Sequence, residues 1–169
     1  MRIQLFIAML LSTMNVKAHT LPSIADKFVE IGNLKIAYKD EGSGQVVLCL
    51  HALGHSSKDF LSLYSLPQNN FRVISIDFPG HGMSDNPNQA ISSQYFAKIT
   101  DEFIKKLELK NLIIIGNSIG GATAIRMASN NANINKLVLA NPAGLDKKGW
   151  LAPLFLNYMI NFFRDGVDK

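Results

Sequence analysis

The chain has 169 residues, 47% of them hydrophobic, which is enough apolar material for one domain with its own core and excludes a disordered polymer. Its net charge is +4, yet the basic residues stand singly or in pairs such as Lys105-Lys106 and Lys147-Lys148, without a basic run interleaved with aromatics, so no nucleic-acid partner is expected. The single cysteine, Cys49, sits in the apolar run VVLCL as a small buried hydrophobe, which excludes an intrachain disulfide and a cysteine-based metal site.

Residues 1–18 begin with Arg2, pass through a short apolar stretch to Leu11 and end on VKA at Ala18, the order of a secretory signal peptide. The apolar core is about half of the roughly 20 residues a membrane span needs. Export to the periplasm or beyond is therefore expected, with a cytoplasmic protein the alternative if the segment is not cleaved.

FVEIGNLKIAYKDEGSG alternates apolar and polar residues on both sides of Gly32-Asn33 and predicts a hairpin of two strands, each with one exposed face. QVVLCLHA, FRVISIDF, NLIIIGNS and INKLVLANP are short and apolar on consecutive positions, as strands covered on both faces are. Between them, SSQYFAKITDEFIKKLEL sets Phe96, Ile99, Phe103, Ile104 and Leu107 on one helical stripe, and GGATAIRMASNN predicts a second helix with a small-residue start. Strands alternating with helices imply crossovers and a mostly parallel sheet, hence an α/β fold that opens with an antiparallel hairpin.

From Gly149 the character changes. WLAPLFLNYMINFF is almost continuously apolar and, at about fourteen residues, too short to span a bilayer. Residues 149–169 read as the start of a cap or lid, with residues 150–163 a candidate for association with a membrane surface. A terminal helix docking on the sheet is the alternative.

The stretch IIIGNSIGG puts Ser118 at the apex of Gly116-Asn117-Ser118-Ile119-Gly120, a G-x-S-x-G turn between an apolar strand and a helix. A serine in a strained turn leaves no room for side chains two positions before or after it, so Gly116 and Gly120 have a steric role. The following helix would aim its N-terminal amides at negative charge developing there. A phosphate-cradling G-x-G-x-x-G loop is the competing reading; its middle glycine would fall on Ser118, and no Walker lysine follows.

With these motifs in this order, residues 28 to about 145 resemble the α/β-hydrolase superfamily: LCLHALGHS is similar to its His-Gly-x-Gly loop, IDFPGHGMSD at 76–85 to its Asp-x-x-Gly-His-Gly-x-Ser segment, and the elbow and LVLANPAG follow. The resemblance implies residues 19–148 as the N-terminal part of the hydrolase core, Ser118 as nucleophile, and the amides of Leu53 and Ile119 as oxyanion hole. It further implies a small-molecule substrate with an ester-like carbonyl, an acyl-enzyme route, and no cofactor or metal. Serine at the apex disfavours the dehalogenase and epoxide-hydrolase branches, which the resemblance associates with aspartate there. Ala52 stands where the family usually has glycine, so the loop is expected to aim its amide less well, although Gly54 is retained.

His51, at a strand end, is expected to shape the oxyanion loop, His81 to shape a glycine-flanked turn, and His55 to be a surface residue; no pairing of these with carboxylates suggests a metal site. Asp77 and Asp85 read as turn residues. In this family the triad runs Ser, acid, His along the chain. The 51 residues after Ser118 hold no histidine, and Asp146 is the one acid placed after the last strand, with Asp165 and Asp168 in the cap segment. The expectation is a sheet truncated before its last strands and a chain inactive by itself, with a noncatalytic or partner-completed binding protein as the alternative.

Overall fold

The computed structural model describes residues 22–129 and 131–143. Within them a six-stranded mixed sheet runs in the order β1-β2-β4-β3-β5-β6, formed by Lys27–Ile31, Leu34–Glu41, Gln45–Leu50, Phe71–Ile76, Leu112–Asn117 and Ile134–Ala140 numbered along the chain. β1 and β2 pair antiparallel from Lys27↔Tyr38 to Ile31↔Leu34, β2 pairs antiparallel with β4, and β4, β3, β5 and β6 are mutually parallel. Helix α1, Ser93–Lys106, connects β4 to β5, and helix α2, Ile119–Ala128, connects β5 to β6. This is the α/β architecture with an antiparallel N-terminal hairpin that the residue pattern predicts.

The hairpin turn is the two residues Gly32 and Asn33. Gly32 takes φ +61° and Asn33 keeps a negative φ, the pattern of a type II′ turn, whose twist matches that of the flanking strands. The two strands differ from the expectation of an exposed face on each. β2 lies between β1 and β4, so Ile36 and Ala37 are fully buried on opposite faces, while β1 is the exposed edge, with Phe28 open to solvent under the Lys35 ammonium.

The continuous apolar runs of β3 and β4 follow from burial on both faces. Leu48, Leu50, Ile74 and Ile76 point into the main core with Phe96 and Phe103 of α1, whereas Val47, Cys49 and Val73 point the other way into a smaller cluster closed by Phe60. Phe60 belongs to a 3₁₀ helix, Ser57–Ser65, between β3 and β4 that the hydrophobic periodicity did not predict. Its signal was the capping pattern Ser56-x-x-Asp59: the Ser56 side chain accepts from the Lys58 amide. Helix α1 starts in the same way, with Ser92 accepting from the Tyr95 amide, and buries Phe96, Ile99, Phe103 and Ile104 as the stripe predicts; Lys105 and Lys106 end it with charge that favours the helix dipole.

Among the described residues the parallel set ends at β6, where Val138 and Leu139 are exposed despite being apolar. No described helix is long and apolar enough to cross a membrane. The expected signal segment 1–18, Asp146, and the cap segment 149–169 with its membrane-facing candidate 150–163 lie outside the described residues.

Candidate active site

The strand β5 ends at Asn117 and α2 begins at Ile119, so one residue, Ser118, makes the whole turn, with φ 50° and ψ −113°. An L side chain rarely adopts that conformation, and it persists only where the surroundings over-determine it. Here they do. The Ser118 amide donates to the Ala140 carbonyl (3.1 Å), and the Ser118 carbonyl accepts from the amides of Ala122 (3.1 Å) and Ala143 (2.9 Å). Residues 140–143, which include Asn141 at φ 45°, thus grip the serine backbone opposite the helix, a role the sequence showed only as the motif LVLANPAG.

Glycine is required wherever backbone meets backbone around this turn. A Cβ on Gly116 would lie 2.6 Å from the Gly120 carbonyl oxygen, and one on Gly120 would overlap the Leu50 carbonyl. One on Gly121 would press on Pro142 at 2.7 Å. The N-terminus of α2 therefore sits directly on the C-terminal end of β3, where the His51–Ser56 loop begins. Ser118 occupies the N-cap position of α2, yet its side chain makes no capping hydrogen bond, so the half-buried hydroxyl remains uncommitted among the described residues. An ordinary N-cap serine commits its oxygen to the second or third amide of the helix.

In the loop after β3, Ala52 keeps a negative φ, and the left-handed residue is Gly54 at +76°. Alanine at 52 therefore adds no backbone strain there, contrary to the cost expected from its departure from glycine. Leu53 is half exposed, and neither its amide nor that of Ile119 donates to a protein acceptor among the described residues.

None of the three described histidines hydrogen-bonds to Ser118. His51 is fully buried; its Nδ1 donates to the Ala52 carbonyl (2.7 Å) and its Nε2 accepts from the Phe78 amide (2.9 Å), a pairing that assigns the neutral tautomer. Burial pushes its pKa down to about 4, and the neighbouring His81 ring, 5.1 Å between centroids, pushes in the same direction. With both nitrogens committed, His51 has no lone pair to offer as a base. His81 points Nδ1 at the Pro79 carbonyl (3.1 Å), and burial lowers its pKa as well. His55 is a surface residue, 2.9 Å from the Asp59 carboxylate.

Asp77 lies in the expected turn but does more than turn the chain. It is fully buried, with Oδ1 accepting from the Ser57 amide (2.7 Å) and Oδ2 from the Met83 amide (3.0 Å) and the Ser23 hydroxyl (2.5 Å). Three donors satisfy a carboxylate that burial would otherwise penalise. Asp85 fastens the same loop to β2 by accepting from the Lys35 amide at 2.7 Å. Sequence reasoning saw turn residues here and missed the hub, because two of its three donors, Ser57 and Ser23, lie 20 and 54 residues away in the chain.

Among the described residues no three His, Cys, Asp or Glu side chains converge as a metal site. The two shallow hollows beside α1 are lined by residues such as Glu108, Asp101 and Arg126 and do not include Ser118. Of the groups described, the site brings together a strained serine with a free hydroxyl, a helix N-terminus and a loop with unpaired amides, which suits attack on a carbonyl and stabilisation of the resulting oxyanion.

Comparison with known proteins gives the same architecture. A family model described as alpha/beta hydrolase fold matches residues 45–166. The chain is 29% identical over 149 residues to 2-hydroxy-6-oxo-6-(2'-aminophenyl)hexa-2,4-dienoic acid hydrolase of Metapseudomonas resinovorans, covering 84% of this chain and 50% of that one. It is 34% identical over 109 residues to the AB hydrolase superfamily protein YisY of Bacillus subtilis, covering 62% and 40%. Among solved structures, an esterase from Exiguobacterium antarcticum superposes with a TM-score of 0.65 at 32% identity, over 70% of this chain and 46% of that chain. The chain spans between about a third and a half of the length of the curated relatives it matches.

Proposed function

Since the chain belongs to the α/β-hydrolase family, we propose that it carries the nucleophile and oxyanion hole of a serine hydrolase acting on a small molecule with an ester-like carbonyl. The observation that carries this reading is Ser118 itself, a serine held at φ 50° at a helix N-cap whose hydroxyl does not cap. The fold and the relatives named as hydrolases support hydrolysis in general; serine rather than aspartate at the apex supports an acyl-enzyme route in particular.

In that route the Ser118 oxygen bonds to the carbonyl carbon while its proton passes to a base. The carbonyl oxygen becomes an oxyanion within reach of the Leu53 and Ile119 amides, each such donor contributing about 3 kcal/mol to the transition state. Collapse expels the protonated alcohol, and water releases the acid by the reverse sequence. His51 is unsuited to be the base because both its nitrogens are engaged, and no histidine stands between Ser118 and residue 169. On this reading none of the described histidines, which make no hydrogen bond to Ser118, serves as its base, and residues 1–169 alone are expected not to turn over esters. The apolar segment 150–163 is proposed to cover the site or meet a membrane surface.

The experiment is labelling of the 169-residue chain with a fluorophosphonate, with Ser118→Ala as control. The expected result is slow labelling that disappears in the variant, since an oxyanion hole without its base retains a residual rate of about 10³-fold over water. Labelling identical in both proteins would remove Ser118 as nucleophile, and rapid Ser118-dependent labelling would overturn the exclusion of the described histidines as its base.

A further inference from the structure

The loop that carries Leu53 stands on two adjacent residues. At its start, the His51 ring accepts from the Phe78 amide (2.9 Å); at its end, the Ser57 amide donates to the Asp77 carboxylate (2.7 Å). Both residues lie at the C-terminal end of β4, so residues 52–56 form a short bridge whose supports are a dipeptide. The first support is a fully buried ring packed against Phe78, 4.8 Å between centroids. The second depends on where the Asp77 carboxylate points, because a carboxylate can rotate about its terminal torsion.

Three contacts set that torsion. The Met83 amide binds Oδ2 at 3.0 Å, Gly82 leaves room for the carboxylate where any Cβ would overlap it, and the Ser23 hydroxyl donates to the same Oδ2 at 2.5 Å. Ser23 comes from the segment preceding β1, 54 residues away in sequence. It is tied in on every side: its oxygen accepts from the Ala25 amide (2.9 Å) and lies 3.1 Å from the Ser57 hydroxyl, which in turn accepts from the Ile24 amide (3.3 Å). The Ser56 hydroxyl donates to the Pro22 carbonyl at 3.1 Å. Residues 22–25 therefore act as a strap across the far end of the loop, touching Ser56, Ser57 and the carboxylate that holds Ser57.

We propose that Ser23 is a positioning residue, one that fixes the Leu53 loop through its hydrogen bonds to Asp77 and Ser57 and so sets the aim of the loop's amides. Its consequence for catalysis rests on the reading of Leu53 as an oxyanion donor; the mechanical hold stands on the hydrogen bonds alone. A hydroxyl-to-carboxylate bond is among the stronger hydrogen bonds in a folded chain, because one partner is charged, and it is supplied here by a segment outside the sheet.

The test is amide hydrogen exchange on the full 169-residue chain, comparing wild type, Ser23→Ala and Ser23→Thr, with urea midpoints measured alongside. Ser23→Ala is expected to speed exchange about tenfold at the His55 and Ser57 amides, the two in the loop that donate to protein acceptors, while the amides of α1 keep their rates, and Ser23→Thr, which restores the hydroxyl, is expected to return both to wild-type protection. Unchanged exchange at His55 and Ser57 in Ser23→Ala would overturn the proposal. So would acceleration spread evenly over loop and helix with a lowered urea midpoint, which is the mark of a stabilising contact and nothing more. Exchange does not depend on chemistry at Ser118, so a chain that fails to label at Ser118 would sink the hydrolase reading and leave this result standing.

Discussion

Replacing Ser118 by glycine and by alanine separates the strain at the elbow from the loss of its hydroxyl. Both variants remove the nucleophile, but only glycine can occupy φ 50°, ψ −113° freely, since that pair is the mirror image of an extended conformation. Its ψ is about 160° from the ordinary left-handed helical well, so Ser118 does not share the mild penalty of a common left-handed residue. Residues held in such regions cost about 1–3 kcal/mol. Against the relief stands the extra freedom glycine gives the unfolded chain, about 0.5–1 kcal/mol. The balance makes Ser118→Gly about 0.5–2 kcal/mol more stable than Ser118→Ala. Urea unfolding with matched slopes measures the difference directly. A glycine variant no more stable than the alanine variant would mean that Ser118 carries no stored strain, and the physical argument for the elbow would fail.

Gly120→Ala should destabilise the chain by about 3 kcal/mol in the same assay, because its Cβ overlaps the Leu50 carbonyl and neither backbone can yield. Stability should also fall in acid through His51. Its folded pKa of about 4 lies below the unfolded value of 6.5, so the unfolded state binds the proton first; the contribution is intact above pH 6.5 and lost as pH falls from there to about 4. The size is about 3 kcal/mol, and His51→Gln should flatten the urea midpoint against pH across that window. Mass spectrometry of exported protein is expected to find His19 at the N-terminus, and an intact Met1 would count against a cleaved signal segment.

Several features of this protein are local and could be read before any coordinates. The hairpin follows from alternation around Gly32-Asn33, α1 from its apolar stripe, and the elbow from glycines at fixed distances from Ser118, because each depends on residues within a turn or two of one another. What the strands face is not local. The 3₁₀ helix over Phe60 has a signal only in its cap, and β2 is buried because the sheet order places it between β1 and β4. The same holds for the site. Ser118 announces itself by spacing, but that its carbonyl is held by Ala143, that Asp77 gathers Ser57, Met83 and Ser23, and that His51 has spent both nitrogens are facts of packing. Spacing along the chain determines which turn a short segment can make; which donor meets which acceptor across 20 to 54 residues is decided only when the core closes and brings them within 3 Å.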